Sequence, residues 1–245
     1  MDSLCRSLML FSLILASTAA AREQSPPDVI RTTAGDLAIT FIGHGSLMFI
    51  FGGKIIHVDP YSRLADYGRL PKADIILITH EHRDHLDPAA IEKIRTDKTQ
   101  IVLTEIGAKQ FGSGTAMKNG DSKTIEGILI EAVPAYNITH KRDTGEPFHP
   151  RGNGNGYVIT FGDKRVYVAG DTENVPEMKA LKNIDIAFLP MNLPYTMTPE
   201  MVAGAAEMFK PKVLYPYHTG ETDIAKLTAL LRDQKETEVR IRSMK

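Results

Sequence analysis

The short apolar run Ile75 to Thr79 leads straight into His80-Glu81-His82-Arg83-Asp84-His85. The run has the length and β-branched content of a strand buried on both faces. Three of the chain's eight histidines fall within those six residues, with an aspartate between them. A strand end that opens into a loop lets successive side chains converge on one point. His80 and His82, two apart, share one side of an extended segment. Imidazole nitrogen and carboxylate oxygen are ordinary zinc ligands and also suit iron or manganese. Asp84 and His85 follow closely enough to face a second ion. Any fold for this chain must therefore end a buried strand where other elements can bring further ligands.

The single cysteine, Cys5, excludes a disulfide scaffold and a cysteine-ligated zinc site. Lys+Arg 29 against Asp+Glu 30 gives a net charge of -1, without the basic excess of a nucleic-acid binder. Apolar residues at 42% and charged residues at 24% are globular values, enough for an ordinary core. A length of 245 residues fits one large domain better than two.

Residues 1–21 carry Arg6, an apolar stretch from Leu8 to Ala16, and the small residues Ala19, Ala20 and Ala21. This is the layout of a cleaved signal peptide, too short to span a bilayer. The expected location is periplasmic or secreted, with no stable membrane span. Residues 22–35, with Pro26-Pro27, read as an N-terminal tail, and residues 36–245 as the domain.

Turn and cap signals divide the domain. Gly52-Gly53, Asn119-Gly120 and Gly162-Asp163 predict hairpins joining 47–51 to 54–58, 115–118 to 122–125, and 157–161 to 164–169. Asp87-Pro88 and Thr198-Pro199 predict helices running to about Arg95 and to Phe209. Further helices are expected at 175–182 and 222–232, and strands at 37–42, 101–104, 128–133, 184–189, 213–217 and 239–242. Each half is strand-rich first and then alternates strand with helix. The class is α/β (α+β), with two sheets packed together and helices outside.

His-x-His-x-Asp-His after a buried strand resembles the signature of the metallo-β-lactamase superfamily. The resemblance continues in Gly170-Asp171-Thr172 after the strand ending at Ala169, and in Tyr217-His218-Thr219-Gly220 after the strand 213–217. Phe41-Ile42-Gly43-His44-Gly45-Ser46, Val58-Asp59-Pro60, Pro134-Ala135-Tyr136-Asn137 and Leu189-Pro190-Met191-Asn192 are similar to the lactonase-like branch. The resemblance implies a four-layer αββα sandwich. It implies that His80 and His82 bind metal one, that Asp84, His85 and His218 bind metal two, and that Asp171 bridges. Asp59 is a candidate to orient a ligand histidine. His44 and Tyr136 are candidates to line the site, as are Tyr195 and Met197.

One position departs from that pattern. The superfamily supplies a third histidine to metal one from the loop after the strand 128–133, and counting places Asn137 there. Asn137 contacts the metal, His140 enters from the same loop, or one ion suffices. His140 and His149 also read as ordinary loop histidines, and His57 as structural. Gly152, Gly154 and Gly156 precede a strand, so no helix N-terminus faces a phosphate there.

The implied activity is hydrolysis by a metal-bound hydroxide, with Asp84 as catalytic residue and zinc, in one or two ions, as cofactor. Manganese or iron would also fit the ligands. An ester, lactone or phosphodiester in a small or lipid-like molecule suits an exported enzyme; nucleic acid does not. A β-lactamase-type amide hydrolase, or a non-catalytic metal-binding member of the fold, are the alternatives. Nothing in the sequence fixes an oligomeric state.

Overall fold

A computed structural model describes residues 26–244. The segment read as a signal peptide lies outside the described residues. Seven strands form the first sheet in chain order: β1 (Asp28–Thr32), β2 (Gly35–Gly43), β3 (Ser46–Phe51), β4 (Lys54–Val58), β5 (Ile75–Leu77), β6 (Gln100–Leu103) and β7 (Thr115–Ala116). Seven more form the second: β8 (Ser122–Ile125), β9 (Ile128–Ala135), β10 (Gly154–Phe161), β11 (Lys164–Val168), β12 (Ile186–Pro190), β13 (Val213–Tyr217) and β14 (Glu238–Val239). Each sheet begins antiparallel and turns parallel at its fourth strand. Parallel neighbours need crossovers, and these carry the helices.

The inner faces of the two sheets bury one apolar core. Phe41, Phe49 and Ile56 meet Phe161, Phe188 and Tyr215 there. Helices cover the outer faces. On the first sheet α1 (Pro88–Ile94) buries Ile91 and Ile94 against Ile76, Ile78 and Leu103, with α2 (Glu105–Phe111) alongside. On the second, α3 (Pro199–Phe209) and α4 (Ile224–Leu230) bury Val202, Ala206 and Leu227 against Ala187, Leu189 and Leu214. The result is the four-layer αββα sandwich.

The cap signals act as read. Asp87 accepts from the Ala89 N–H ahead of α1, and Thr198 accepts from the Met201 N–H ahead of α3; each satisfies an orphan donor of the first turn. The hairpins β3–β4 and β10–β11 form where their turns predict. The third predicted hairpin does not. β7 pairs with β6 in the first sheet, while β8 pairs with β9 in the second, so Asn119-Gly120 turns the chain from one sheet to the other. The stretch read as a tail contributes β1, paired with β2 along its length. The buried Tyr215 hydroxyl and the Arg242 guanidinium both hold Asp28, the first residue of that strand. α2 escaped sequence reading although Thr104 caps it and Gly112 ends it in the left-handed region. Its apolar side chains Ile106, Ala108 and Phe111 are too few to give a helical stripe, and none is fully buried. The stretch 175–182 forms only a 3-10 helix over Pro176–Ala180.

Candidate metal centre

All the candidate ligands lie in loops at the ends of β2, β5, β9, β11 and β13, gathered at one edge of the sandwich. β5 gives way to the 80–85 run, which turns back on itself through bonds from His85 N and Leu86 N to His82 O at 3.0 and 2.7 Å. Two groups of side chains result. His80, His82 and His149 place ligand atoms within 4.8 Å of one another, which we call centre one. Asp84, His85 and His218, with His44 beside them, do the same as centre two.

Asp171 stands between the two. Its Oδ2 is 3.3 Å from His149 Nε2 and 4.0 Å from His80 Nε2. Its Oδ1 is 3.5 Å from both His85 Nε2 and His218 Nε2. One carboxylate thus presents one oxygen to each group. Gly170 makes this approach possible. It sits at φ +67, and a Cβ there would lie 2.9 Å from Thr79 Cβ.

Hydrogen bonds on the far side of the rings fix which nitrogen points inward. Asp59 accepts from Thr79 N and Thr79 Oγ1 at 2.8 and 2.6 Å, and from His85 Nδ1 at 2.7 Å. His85 therefore carries its proton on Nδ1 and offers Nε2. Because the Thr79 hydroxyl donates to Asp59, it can only accept from His80 Nδ1, at 3.1 Å, so His80 also offers Nε2. His44, Asp59 and His218 have φ of 49, 44 and 48, a left-handed conformation that costs a non-glycine residue about 1 kcal/mol or more. A bond from His218 N to His44 O at 2.9 Å joins two of these strained turns.

The third imidazole of centre one comes from His149. Neither Asn137 nor His140 stands there. The chain leaves β9 at Asn137, loops out, and returns so that Asn137 N donates to His149 O and His149 N donates to Asn137 Oδ1, at 2.8 and 3.0 Å. Asn137 Oδ1 also meets His149 Nδ1 at 2.6 Å, while its Nδ2 donates to Tyr195 O and Glu173 Oε1. Since the amide NH2 is spent on those acceptors, His149 Nδ1 is the donor and Nε2 faces centre one. Asn137 thus orients the imidazole from behind. His140 turns to Glu173, its Nδ1 2.9 Å from Oε1. The buried Glu173 carboxylate also accepts from the backbone N–H groups of Ile138, Thr139 and His140 and so ties down the start of the loop. Tyr136 does not line the site either: its ring packs in the core beneath α3, and its hydroxyl donates to Glu177. Met197 is buried in that same core, whereas Tyr195 is exposed at the rim.

The electrostatics call for a cation. Burial alone would raise Asp84 and Asp171, yet the surrounding imidazoles, His218 foremost, hold both carboxyls well below the usual range. Burial alone would lower His85, yet the Asp171 and Asp59 carboxylates push it up to about 10. Burial and the neighbouring imidazoles push His80 and His82 down. Two ionised carboxylates buried beside these rings draw positive charge to the spot, and His80 and His82 are kept neutral, as metal ligands must be. Nε2 of His85, His149 and His218 and Oδ1 of Asp171 are buried without any hydrogen-bond partner. Such atoms are costly unless something coordinates them. The donor set of nitrogen and oxygen fits zinc, manganese or iron.

Above the two groups opens a cleft of about 540 Å³, walled by Arg83, Arg142, Phe148, Asn192 and Tyr195.

Layered sheets with metal ligands at the strand ends define the class of protein, and the comparisons give the family. Residues 38–218 match the Beta-lactamase superfamily domain, and the chain belongs to the metallo-β-lactamase superfamily. A UPF0173 metal-dependent hydrolase of Pelotomaculum thermopropionicum is 30% identical, over 84% of this chain and 97% of its own. Its counterpart in Thermococcus kodakarensis is 33% identical, over 74% and 83%. Among solved structures, a protein of Parabacteroides distasonis provisionally designated a metal-dependent hydrolase is 54% identical, over 89% of this chain and 99% of its own, with a TM-score of 0.85.

Proposed function

We propose that this chain is an exported enzyme that hydrolyses an ester, lactone or phosphodiester bond, with metal held by His80, His82 and His149 at one centre and by Asp84, His85 and His218 at the other, Asp171 between them. The coarser statement, that it is a metal-dependent hydrolase, follows from the family and from relatives of that description. The carrying observation is the convergence of partnerless buried ligand atoms from His85, His149, His218 and Asp171 on one spot beneath an open cleft.

Bound metal would supply Lewis acidity, lowering the pKa of water toward neutrality and drawing charge from the scissile group. The chain's own groups do the rest. Asp84 Oδ2 lies 3.0 Å from His44 Nε2 and 3.7 Å from both His85 Nε2 and His218 Nε2, at the cleft floor. Held ionised there, it can accept a hydrogen bond from a water and orient it. Asp59 and Thr79 keep the His85 and His80 rings from turning, so the ligand geometry exists before substrate arrives. The apolar run and small residues of positions 1–21 support export, which favours substrates found outside the cytoplasm.

The test is turnover by metal-loaded protein on a panel of p-nitrophenyl esters, lactones, bis-p-nitrophenyl phosphate and nitrocefin. Hydrolysis of a member of the first three classes, abolished by His82→Ala and by Asp84→Ala, is expected. Wild-type turnover by His82→Ala would overturn the assignment; nitrocefin as the sole substrate would put the amide reading in its place.

A further inference from the structure

We propose that the substrate carries an anionic group besides its scissile bond, and that Arg83 and Arg142, on the cleft rim, bind it. The inference rests on the hydrolase reading above and names its substrate class.

Both side chains are exposed and both wall the cleft above the ligand groups. Arg83 lies inside the 80–85 run, between His82 and Asp84, so its backbone is fixed by the same turn that fixes those residues. Among the described residues its guanidinium meets no carboxylate and no other acceptor. Arg142 comes from a different segment, the loop that ends in His149. Its backbone closes a small hairpin, Arg142 N to Glu146 O at 2.8 Å and Gly145 N to Arg142 O at 2.9 Å, flanked by a bridge between Lys141 and Pro147. Glu173 pins the start of this loop and Asn137 its end, so the arginine is offered from a braced segment.

The Arg142 side chain is also steadied without being neutralised. It lies over the Phe148 ring, 5.1 Å from the centroid, and reaches Phe148 O at 3.4 Å. Phe148 in turn stands edge-on to Tyr195, with centroids 5.0 Å apart. No carboxylate among the described residues takes up its charge. By contrast Arg151, just past His149, is tied to Glu177 at 2.6 Å. Two guanidinium groups without carboxylate partners, converging on one cleft, keep their donor forks available. That fork fits carboxylate or phosphate oxygens, and a neutral substrate would leave both charges unused. The aromatic pair beside them offers a flat apolar wall for the rest of the molecule. Placing the anion on the rim leaves the cleft floor for the scissile group, and binding energy from this non-reacting part can then serve the reaction.

The test compares wild type with Arg83→Ala/Arg142→Ala, both metal-loaded and matched for melting temperature. One arm measures kcat/KM on two p-nitrophenyl esters, the hemisuccinate, with a free carboxylate, and the neutral butyrate. The hemisuccinate-to-butyrate preference of wild type should fall by about tenfold to a hundredfold in the variant, chiefly through KM. A second arm measures equilibrium binding of phenylphosphonate and phenylacetate by calorimetry and needs no turnover, so it stands even if the hydrolase reading fails. Binding weakened at least about tenfold in the double variant supports the arginine site, and the anion that loses more names the group. The Arg83→Lys/Arg142→Lys variant should recover part of that loss. Equal anion binding by wild type and the alanine variant, or an unchanged ester preference, would overturn the proposal.

Discussion

Centre two takes Asp84 and His85 from the turn that follows β5 and His218 from the end of β13, and two of its three ligands are braced by strained backbone or by a buried carboxylate. Centre one takes His80 and His82 from the same β5 turn. Its third imidazole, however, arrives at the end of a loop that leaves Asn137 and comes back 12 residues later. Rigid strands position the first group; a side-chain relay from Glu173 through Asn137 positions the last member of the second. Metal affinity at the two centres should therefore respond to different residues, and the substitutions that follow separate them.

The largest effect is expected where the centres meet. Asp171→Ala removes the carboxylate that faces both, and should lower turnover roughly a thousandfold while weakening metal binding at each centre. Inductively coupled plasma analysis after dialysis, beside kinetics, reads both. A variant that loses only one ion would show that Asp171 serves a single centre.

Next come substitutions that strike one centre. Gly45→Ala would bring a Cβ within 2.9 Å of His85 Cε1 and 3.5 Å of His218 Cδ2, so centre two should lose affinity and centre one should not. Asn137→Ala and Glu173→Ala do the converse, freeing the His149 ring and costing roughly tenfold to a hundredfold in metal affinity at centre one. Glu173→Gln, which keeps an acceptor for the loop N–H groups, should be milder. Titrations of cobalt-substituted protein followed by visible absorption would resolve the two steps. Identical losses at both centres in either set would break the distinction.

This division is also the boundary of what the sequence made legible. His80, Asp171 and His218 lie within three residues of a strand end, where apolar patterning marks the strand and fixes where the loop begins, and His82, Asp84 and His85 follow His80 in one short His/Asp run. Counting forward from β9 lands on Asn137, and there local pattern fails, because His149 returns by tertiary bonds that no short window contains. A signal did exist: Phe148-His149-Pro150 stands just before the strand β10. The misread hairpin at Asn119-Gly120 has the same cause. A turn dipeptide reports the bend but not which sheet receives the outgoing strand. β1 was missed because flanking prolines and polar residues hid five residues that pair with β2 in a local hairpin and are tied to Arg242 across the whole domain.

The last effect lies outside both centres, leaves them in place, and separates their acid sensitivity from that of the fold. His57 is buried in β4, and burial pushes it down to about 4. The unfolded chain binds this proton near pH 6.5, so the contribution of His57 is constant above that value and stability falls on its account as pH drops from 6.5 to 4, by about 3 kcal/mol in all. Urea unfolding of metal-free protein across this range should show the slope, and His57→Leu should make it shallower, leaving the part that comes from His80 and His82. An unchanged slope in that variant would place the acid sensitivity elsewhere.

The central claim is that His149, and not Asn137 or His140, completes a second metal centre beside the one built on His85 and His218. Zinc titration of wild type and His149→Ala, in competition with a chromophoric chelator, tests it most directly. Two tight sites in wild type and one in His149→Ala are expected, with two retained in His140→Ala. The same two affinities in His149→Ala as in wild type would contradict it.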